Sequence, residues 1–224
     1  MMIDNNECVP ATITETITET MLDALRERVV GRMSDKRATH TLAVERMVMR
    51  LGELYCPACI PELRAAALLH DITKEESLEK QLQLCREFGI MVQPGDELAP
   101  KTFHAKTAAE LIKREFSEYA TDTVVSAVRW HTTGHESMTL SEKLLYLADY
   151  IDDSRKFPDC VRLRDYFFGA HPEAMNETDR AAHLRDTLIL SYDMTMRNLL
   201  AESVTISLDT VKARNSLIAD RQKR

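Results

Sequence analysis

Apolar residues recur along this chain with the spacing of an α-helix rather than that of a β-strand. The first stripe consists of Met21, Leu22, Leu25 and Val29. These positions share one face of a helix, and Gly31 then interrupts the pattern. Ser34 or Asp35 is a suitable N-cap for the helix that follows. No segment alternates between apolar and polar residues for long, so the pattern favours helices throughout.

The same reasoning predicts an all-α fold of eight to ten helices without an internal repeat. Proline and glycine residues separate the helical patterns, and a loop is expected at 90–101. The predicted helices cover residues 17–29, 34–54, 62–70, 76–88, 102–116, 121–131, 140–151, 172–200 and 207–219. Residues 1–16 are polar and lack sustained periodicity, so we expect a flexible segment there, followed by a single domain at 17–224.

Composition supports a folded protein and excludes two nucleotide-binding motifs. Hydrophobic residues make up 44% of the 224 residues, which is enough for a substantial core. None of the six glycines has the spacing of a P-loop or of a dinucleotide-binding fingerprint. The net charge of −7 argues against binding a nucleic-acid polymer, so an anionic substrate would need a local basic cluster or a metal.

The sequence gives no sign of a membrane or secretory segment. Its apolar runs are far shorter than the roughly 18 residues of a transmembrane helix. The first residues are polar and acidic, unlike a signal peptide. We therefore expect a cytoplasmic protein that does not contact a membrane.

Cys56 and Cys59 form a C-P-A-C pair whose role the sequence leaves open. A zinc site would need further cysteine or histidine ligands at matching spacing. A thioredoxin-like redox motif would need a βαβ unit, which the pattern does not contain. We therefore expect both to be reduced thiols in a loop between two helices.

Six histidines and aspartates stand at predicted helix ends or within apolar runs. They are His40, His70, Asp71, His104, His131 and Asp149. Asp149 lies inside the apolar stretch 144–151, and His70 and Asp71 directly follow the apolar residues 65–69. Buried ionisable groups are costly unless they are paired or bind a metal. Side chains from several helices can converge in a bundle core, where imidazole and carboxylate together suit iron, manganese or zinc.

The order of these residues resembles the H…HD…D signature of the HD-domain superfamily, a group of metal-dependent phosphohydrolases. The additional His104 and His131 match the two-metal variant of that signature. The flanking motifs are A-L-L-H-D-I-T-K-E at 67–75, W-H-T-T-G at 130–134, Y-L-A-D-Y-I at 146–151, R-K-F-P at 155–158 and A-R-N at 213–215. They resemble the YqeK family, whose members are symmetrical diadenosine tetraphosphate hydrolases. The resemblance extends over about residues 18–218. This sequence departs from the family pattern at Ala105, Asp152 and Asp153.

The resemblance implies a helical HD-type bundle and a ligand set for two metal ions. It assigns His40, His70, Asp71 and Asp149 to the first metal. Asp71 would bridge to a second metal, completed by His104 and His131. It points to iron, one or two ions per chain, whereas the ligand types alone also allow manganese or zinc. Such metals lower the pKa of a bound water, which then attacks a phosphoryl group.

A dinucleoside polyphosphate substrate also needs fixed positive charge near the metals. Lys74 lies three residues after Asp71, and Arg155 lies six residues after Asp149, so both are assigned to the phosphates. With Asp71 they form the predicted catalytic group. Arg37 lies about one helical turn before His40 and is a further candidate for the substrate.

The turn after the predicted helix 121–131 supplies the remaining candidates. His131, Thr132, Thr133 and Gly134 offer imidazole, hydroxyl and backbone N–H groups for phosphate binding. Trp130 is assigned to packing rather than to stacking on adenine.

Two other functions remain open at this point. The same six ligands occur in HD-type di-iron oxygenases, which consume O₂, but the cations Lys74 and Arg155 favour the hydrolase. A nucleotide-binding regulator without turnover is the other alternative, and the complete ligand set argues against it. The sequence does not fix the oligomeric state, and a homodimer is one alternative.

Overall fold

The computed structural model describes residues 16–92 and 96–222, and these residues form ten α-helices and no strand. The helices are α1 (Glu19–Val30), α2 (Asp35–Tyr55), α3 (Ile60–Leu69), α4 (Leu78–Phe88), α5 (Phe103–Glu115), α6 (Asp122–Trp130), α7 (Leu140–Ile151), α8 (Pro158–Gly169), α9 (Glu177–Ala201) and α10 (Leu208–Gln222). This confirms the predicted all-α class. The flexible segment predicted at 1–16 lies, apart from Thr16, outside the described residues.

Side-chain hydrogen bonds cap the N-terminal ends of several helices. Ser34 accepts a hydrogen bond from the backbone of Arg37 at the start of α2, as predicted. Thr139 and Glu142 form a reciprocal capping box at the start of α7. Gly89 ends α4 in the left-handed conformation, with φ of 68°.

Two helix predictions near the C-terminal third differ from the structure. Pro158 was expected only to interrupt the chain, but it is the first residue of α8, where a missing N–H costs nothing. The helix predicted at 172–200 begins later, at Glu177. A short 3₁₀ turn at Pro172–Ala174 precedes it, and Asn176 caps α9. Short 3₁₀ turns also lie within the predicted loop 90–101, at Asp96–Leu98 and near its end.

The prediction of two free thiols at Cys56 and Cys59 is wrong. The two residues flank a 3₁₀ turn, Pro57–Cys59, which brings their Cα atoms to 5.3 Å, and a disulfide joins them. Cys85 and Cys160 are buried free thiols, and Cys8 lies outside the described residues.

The core is organised around α3. Every residue from Leu63 to Leu69 is buried, and α1, α2, α6 and α7 pack around this helix. Small side chains at Ala65, Ala66 and Ala67 allow this close approach. Its C-terminal end therefore points into the centre of the bundle. No helix in the described ranges has the length and hydropathy needed to span a membrane.

The turn after α6 depends on a glycine, which gives a test of the fold. Gly134 has φ of 64°, and a Cβ there would overlap the Tyr192 hydroxyl and lie 2.9 Å from Met138 Sδ. We expect Gly134→Ala to lower the free energy of unfolding by about 2–5 kcal/mol, from backbone strain and overpacking together. Urea denaturation measures this loss.

Gly89→Ala is the matched control, because Gly89 has a similar φ of 68° but nothing within 4 Å of the added Cβ. Its free energy of unfolding should fall by only about 1–2 kcal/mol, the cost of a side chain in the left-handed conformation. Equal losses in the two variants would show that Tyr192 moves aside and that the close packing at Gly134 is not required.

Candidate metal centre

The structure brings all six candidate ligands together at the centre of the bundle. His40 lies on α2, Asp149 on α7 and His104 on α5, while the others follow the last turns of α3 and α6: His70, Asp71 and His131. All are buried except Asp149, whose side chain is 19% exposed. The electronegative C-terminal ends of two helices thus converge on the cluster, which favours a bound cation.

Asp71 occupies the middle of this cluster and faces two pairs of imidazoles. Its Oδ2 lies 3.3 Å from His70 Nε2 and 3.7 Å from His40 Nε2. Its Oδ1 lies 3.2 Å from His104 Nε2 and 3.7 Å from His131 Nε2. The two carboxylate oxygens therefore point to opposite halves of the cluster, which is the arrangement that a bridging ligand requires.

Backbone hydrogen bonds orient two of the imidazole rings. His70 Nδ1 donates to the carbonyl of Ala67 at 2.6 Å, and His131 Nδ1 donates to the carbonyl of Val128 at 2.7 Å. Each acceptor lies three residues earlier, in the last turn of the same helix. These bonds leave Nε2 of each ring to face the cluster as a ligand.

The turn that carries Asp71 is fixed from two sides. Thr73 Oγ1 donates to the carbonyl of His104 at 3.0 Å and thereby connects the turn to α5. Glu75 accepts a hydrogen bond from the backbone N–H of Ser34 at 2.9 Å, which connects it to the start of α2. The ligands on α2, α5 and this turn are consequently held in a fixed relation.

Asp152 is a site residue that the sequence analysis did not identify. Its fully buried carboxylate lies 3.2 Å from His40 Nδ1 and accepts from Arg155 Nε at the same distance. His40 Nε2 then lies 2.9 Å from Asp149 Oδ1. Asp152 thus orients both His40 and Arg155. Its position, three residues after Asp149, was the available signal, because it places both carboxylates at one helix end.

The donor set fits a transition metal. His70 Nε2 is buried without a hydrogen-bond partner among the described residues, although it faces two carboxylates. Two groups of three residues have ligand atoms within 4.8 Å of one another: His40, His70 and Asp149, and His70, Asp71 and His131. Imidazole nitrogens and carboxylate oxygens in this mixture suit iron, manganese and zinc.

The electrostatics of the cluster also favour a cation. Burial lowers the pKa of His70, but the charges of Asp71 and Asp149 outweigh it and raise that pKa to about 10. Burial alone would raise the pKa of Asp71, yet His70 and hydrogen bonds from the other imidazoles hold it well below its usual value. On the other side, burial and the nearby Lys74 lower the pKa of His104 to about 3. Asp71 is therefore ionised, and His104 is a neutral imidazole.

All three cations assigned to the substrate lie against this cluster. Arg37 forms an ion pair with Asp71, and Arg155 Nη2 lies 2.5 Å from Asp149 Oδ1. Lys74 Nζ lies 3.1 Å from His104 Nε2 and 4.0 Å from Asp71 Oδ1, and burial lowers its pKa. Their side chains are between 23% and 31% exposed, so each also reaches the surface.

A basic cleft of about 690 Å³ opens above His40. We define the cleft by its lining residues, which are Lys36, Arg37, Thr39, His40, Ser154, Arg155, Lys156, Phe157 and Pro158. Lys36, Lys156 and Phe157 were not identified from the sequence, although each adjoins a predicted substrate cation or follows it closely. The cleft concentrates positive charge in a protein whose net charge is −7.

Only part of the predicted turn 131–134 faces the cluster. Thr132 Oγ1 lies 3.1 Å from Nε2 of both His104 and His131. Thr133 is buried and its hydroxyl donates to the carbonyl of Gly134, whose own N–H donates to the carbonyl of Trp130 at 2.8 Å. Thr133 and Gly134 use their donors to close the turn, so the structure does not support them as substrate ligands.

Comparisons with known proteins agree with this geometry. The HD domain family model matches residues 37–153, just over half of the chain. Two bacterial relatives named symmetrical bis(5'-nucleosyl)-tetraphosphatase are similar over most of their length. That from Bacillus subtilis is 30% identical over 85% of this chain and 94% of its own. That from Staphylococcus aureus is 28% identical over 75% of this chain and 84% of its own.

A solved structure shares the fold. It is described as a predicted HD superfamily hydrolase involved in NAD metabolism from Clostridium acetobutylicum. Its TM-score is 0.75, with 26% identity, and the match covers 88% of this chain and 97% of that chain.

Removing Asp71 should disrupt both halves of the cluster. We expect Asp71→Ala to lose nearly all bound metal, because it removes the only carboxylate within 4 Å of all four imidazoles in the described cluster. Elemental analysis of the purified protein measures the metal content. Asp153→Ala, which removes an exposed carboxylate outside the ligand set, is the control and should retain the metal. Retention of metal by Asp71→Ala would contradict the central position of Asp71.

The two halves should also be separable. We expect His104→Ala and His131→Ala each to leave roughly one metal per chain, because the remaining half keeps His40, His70 and both carboxylates. Metal content together with the circular-dichroism spectrum decides the point. Loss of all metal with loss of helicity would instead assign these histidines to the core.

Proposed function

The chain belongs to the HD domain family, and from this premise we propose that it is a metal-dependent phosphoanhydride hydrolase cleaving diadenosine tetraphosphate symmetrically into two ADP. The basic cleft above a buried cluster of histidines and aspartates is the observation that carries the proposal. The names of the similar bacterial proteins support a bis(5'-nucleosyl) tetraphosphate as the substrate class and a symmetrical cut, and we take adenosine as the nucleoside.

HD domains bind divalent metal, and we place one ion on the side of each carboxylate oxygen of Asp71. His40, His70, Asp71 and Asp149 would hold one ion. Asp71, His104 and His131 would hold a second, and we propose iron, with manganese and zinc accepting the same donors. When bound, such metals lower the pKa of a water and neutralise charge on phosphoryl oxygens.

The chain's own cations bind and orient the polyphosphate. Arg37, Lys74 and Arg155 lie beside the metal ligands, and the cleft adds Lys36 and Lys156. Charge-assisted hydrogen bonds to phosphate are strong and directional, especially from a guanidinium. Asp149 and Asp152 hold Arg155 from two sides, so its guanidinium has a fixed direction at the mouth of the site.

Symmetrical cleavage follows if these cations hold one ADP half in a fixed register. Water then attacks the phosphorus second from one adenosine. A new P–O bond forms, and the bond from that phosphorus to the central bridging oxygen breaks. The leaving ADP keeps the bridging oxygen, the attacked half takes the water oxygen, and both products are ADP.

The products test this register. Metal-loaded protein should convert diadenosine tetraphosphate to ADP alone, and in ¹⁸O-water one of the two ADP molecules should carry the label on its terminal phosphate. Chromatography and mass spectrometry resolve the products. AMP with ATP as the main products would reject the symmetrical register. NAD serves as a comparison substrate with a shorter phosphate chain, and oxygen uptake with an organic substrate would favour the oxygenase.

Arg155 is the cation whose removal should affect turnover without removing a metal ligand. We expect Arg155→Ala to lower kcat/KM about 10- to 1,000-fold, or about 1.4–4 kcal/mol of transition-state stabilisation. Metal content should stay unchanged. Arg162→Ala, an exposed arginine on α8, is the matched control and should retain full activity. Normal activity of Arg155→Ala would show that Arg155 does not bind the phosphates and would leave Arg37 and Lys74 as the candidates.

A further inference from the structure

Phe157 is an exposed aromatic residue at the edge of the basic cleft. Its side chain follows Arg155 and Lys156 directly and is 68% exposed. In the described part of the chain it has no ring or cation–π partner, although several other aromatic residues do. Burying the exposed face of a large apolar ring is favourable, so a planar ligand that covers Phe157 would gain affinity from the contact.

Phe157 also lines a second recess. This recess, of about 380 Å³, is lined by Tyr150, Arg155, Phe157, Pro158, Asp159, Cys160 and Asn198. It shares Arg155, Phe157 and Pro158 with the basic cleft. The two cavities therefore meet at these residues, and the smaller one contains a second aromatic residue, Tyr150.

The chemistry of the smaller recess suits a planar heterocycle. Phe157 and Tyr150 offer aromatic surface, and Asn198 Nδ2 donates to Asp159 Oδ2 at 2.8 Å. That bond leaves the amide oxygen of Asn198 and a carboxylate oxygen of Asp159 as acceptors for an exocyclic amine. Apolar walls with a few polar groups are typical of small-molecule sites.

The position of Phe157 is fixed by the backbone. It is the N-cap of α8, with φ of −63°, and its carbonyl accepts the first helical hydrogen bond, from Val161 at 3.0 Å. Pro158 follows at the first helical position, where its ring restricts the chain. Trp130, the other candidate for stacking, already contacts the His135 ring at 4.6 Å and the Arg129 guanidinium at 4.0 Å.

We propose that Phe157 is the stacking platform for one nucleobase of the substrate, which occupies the recess between Phe157 and Tyr150. The proposal rests on the proposed function, because it places the phosphates of that same nucleotide on Arg155 and the basic cleft. Base–aromatic stacking supplies affinity that the cations do not provide, and it sets where the nucleoside half begins.

The test compares ADP with ribose 5-diphosphate, which carries the same phosphates and sugar without a base. Calorimetry on metal-loaded protein gives both dissociation constants. We expect Phe157→Ala to weaken ADP binding by roughly five- to a hundred-fold and to leave ribose 5-diphosphate within two-fold. Phe157→Tyr should restore ADP binding, whereas Phe157→Leu, which is apolar but not aromatic, should not.

Tyr166→Ala provides the control, because Tyr166 is an exposed aromatic residue on the same helix and outside both recesses. It should bind both ligands normally. Unchanged ADP binding by Phe157→Ala in an enzyme that still hydrolyses diadenosine tetraphosphate would overturn the proposal alone. An equal loss of affinity for ADP and for ribose 5-diphosphate would also overturn it. So would a change in the oligomeric state of Phe157→Ala without a change in ADP binding. Failure of the unmodified protein to bind ADP or to hydrolyse the substrate would overturn the proposed function as well.

Discussion

The structure depends on keeping two carboxylates charged in the centre of a helical bundle. Asp71 and Asp149 lie among four imidazoles, Asp71 buried and Asp149 partly so, where an uncompensated charge is unfavourable. Two arginines and a lysine reach them from the surface: Arg37, Arg155 and Lys74. The carboxylates, imidazoles and cations can compensate one another only if the helices that carry them meet at one point.

The helix α3 makes that meeting point possible. Its three consecutive alanines permit close packing by neighbouring helices, and its last turn delivers His70 and Asp71 to the centre. The same turn is then connected to α2 through Glu75 and to α5 through Thr73. The outward-facing ring nitrogens of His40, His70 and His131 each have a partner of their own, which keeps these three rings oriented.

Much of this arrangement could be predicted from the sequence, since each ligand stands where local pattern makes it conspicuous. Asp149 lies within an apolar helix and His70 directly follows one. An ionisable residue is rarely found at such a position unless it has a partner. Asp152 escaped notice because its role depends on how α7 ends against His40, which periodicity does not encode. The hydrogen bonds of Thr133 and Gly134 could not be predicted for a similar reason, since the direction of each donor is set by the closed turn. The disulfide and the start of α8 likewise depend on local backbone geometry at Pro57 and Pro158.

Under the proposed function, the cations at the site serve two kinds of anion, the carboxylates of the cluster and the polyphosphate of the substrate. In the chain by itself, Arg155 neutralises Asp149 and Arg37 neutralises Asp71. A divalent metal bound among the same carboxylates would take over much of that neutralisation, because a divalent charge at short range dominates the local field. The positive charge of the two arginines would then be available to a polyphosphate in the cleft. A protein of net charge −7 could thus attract a highly charged anion through one cleft, whose positive potential would increase when a metal binds beneath it.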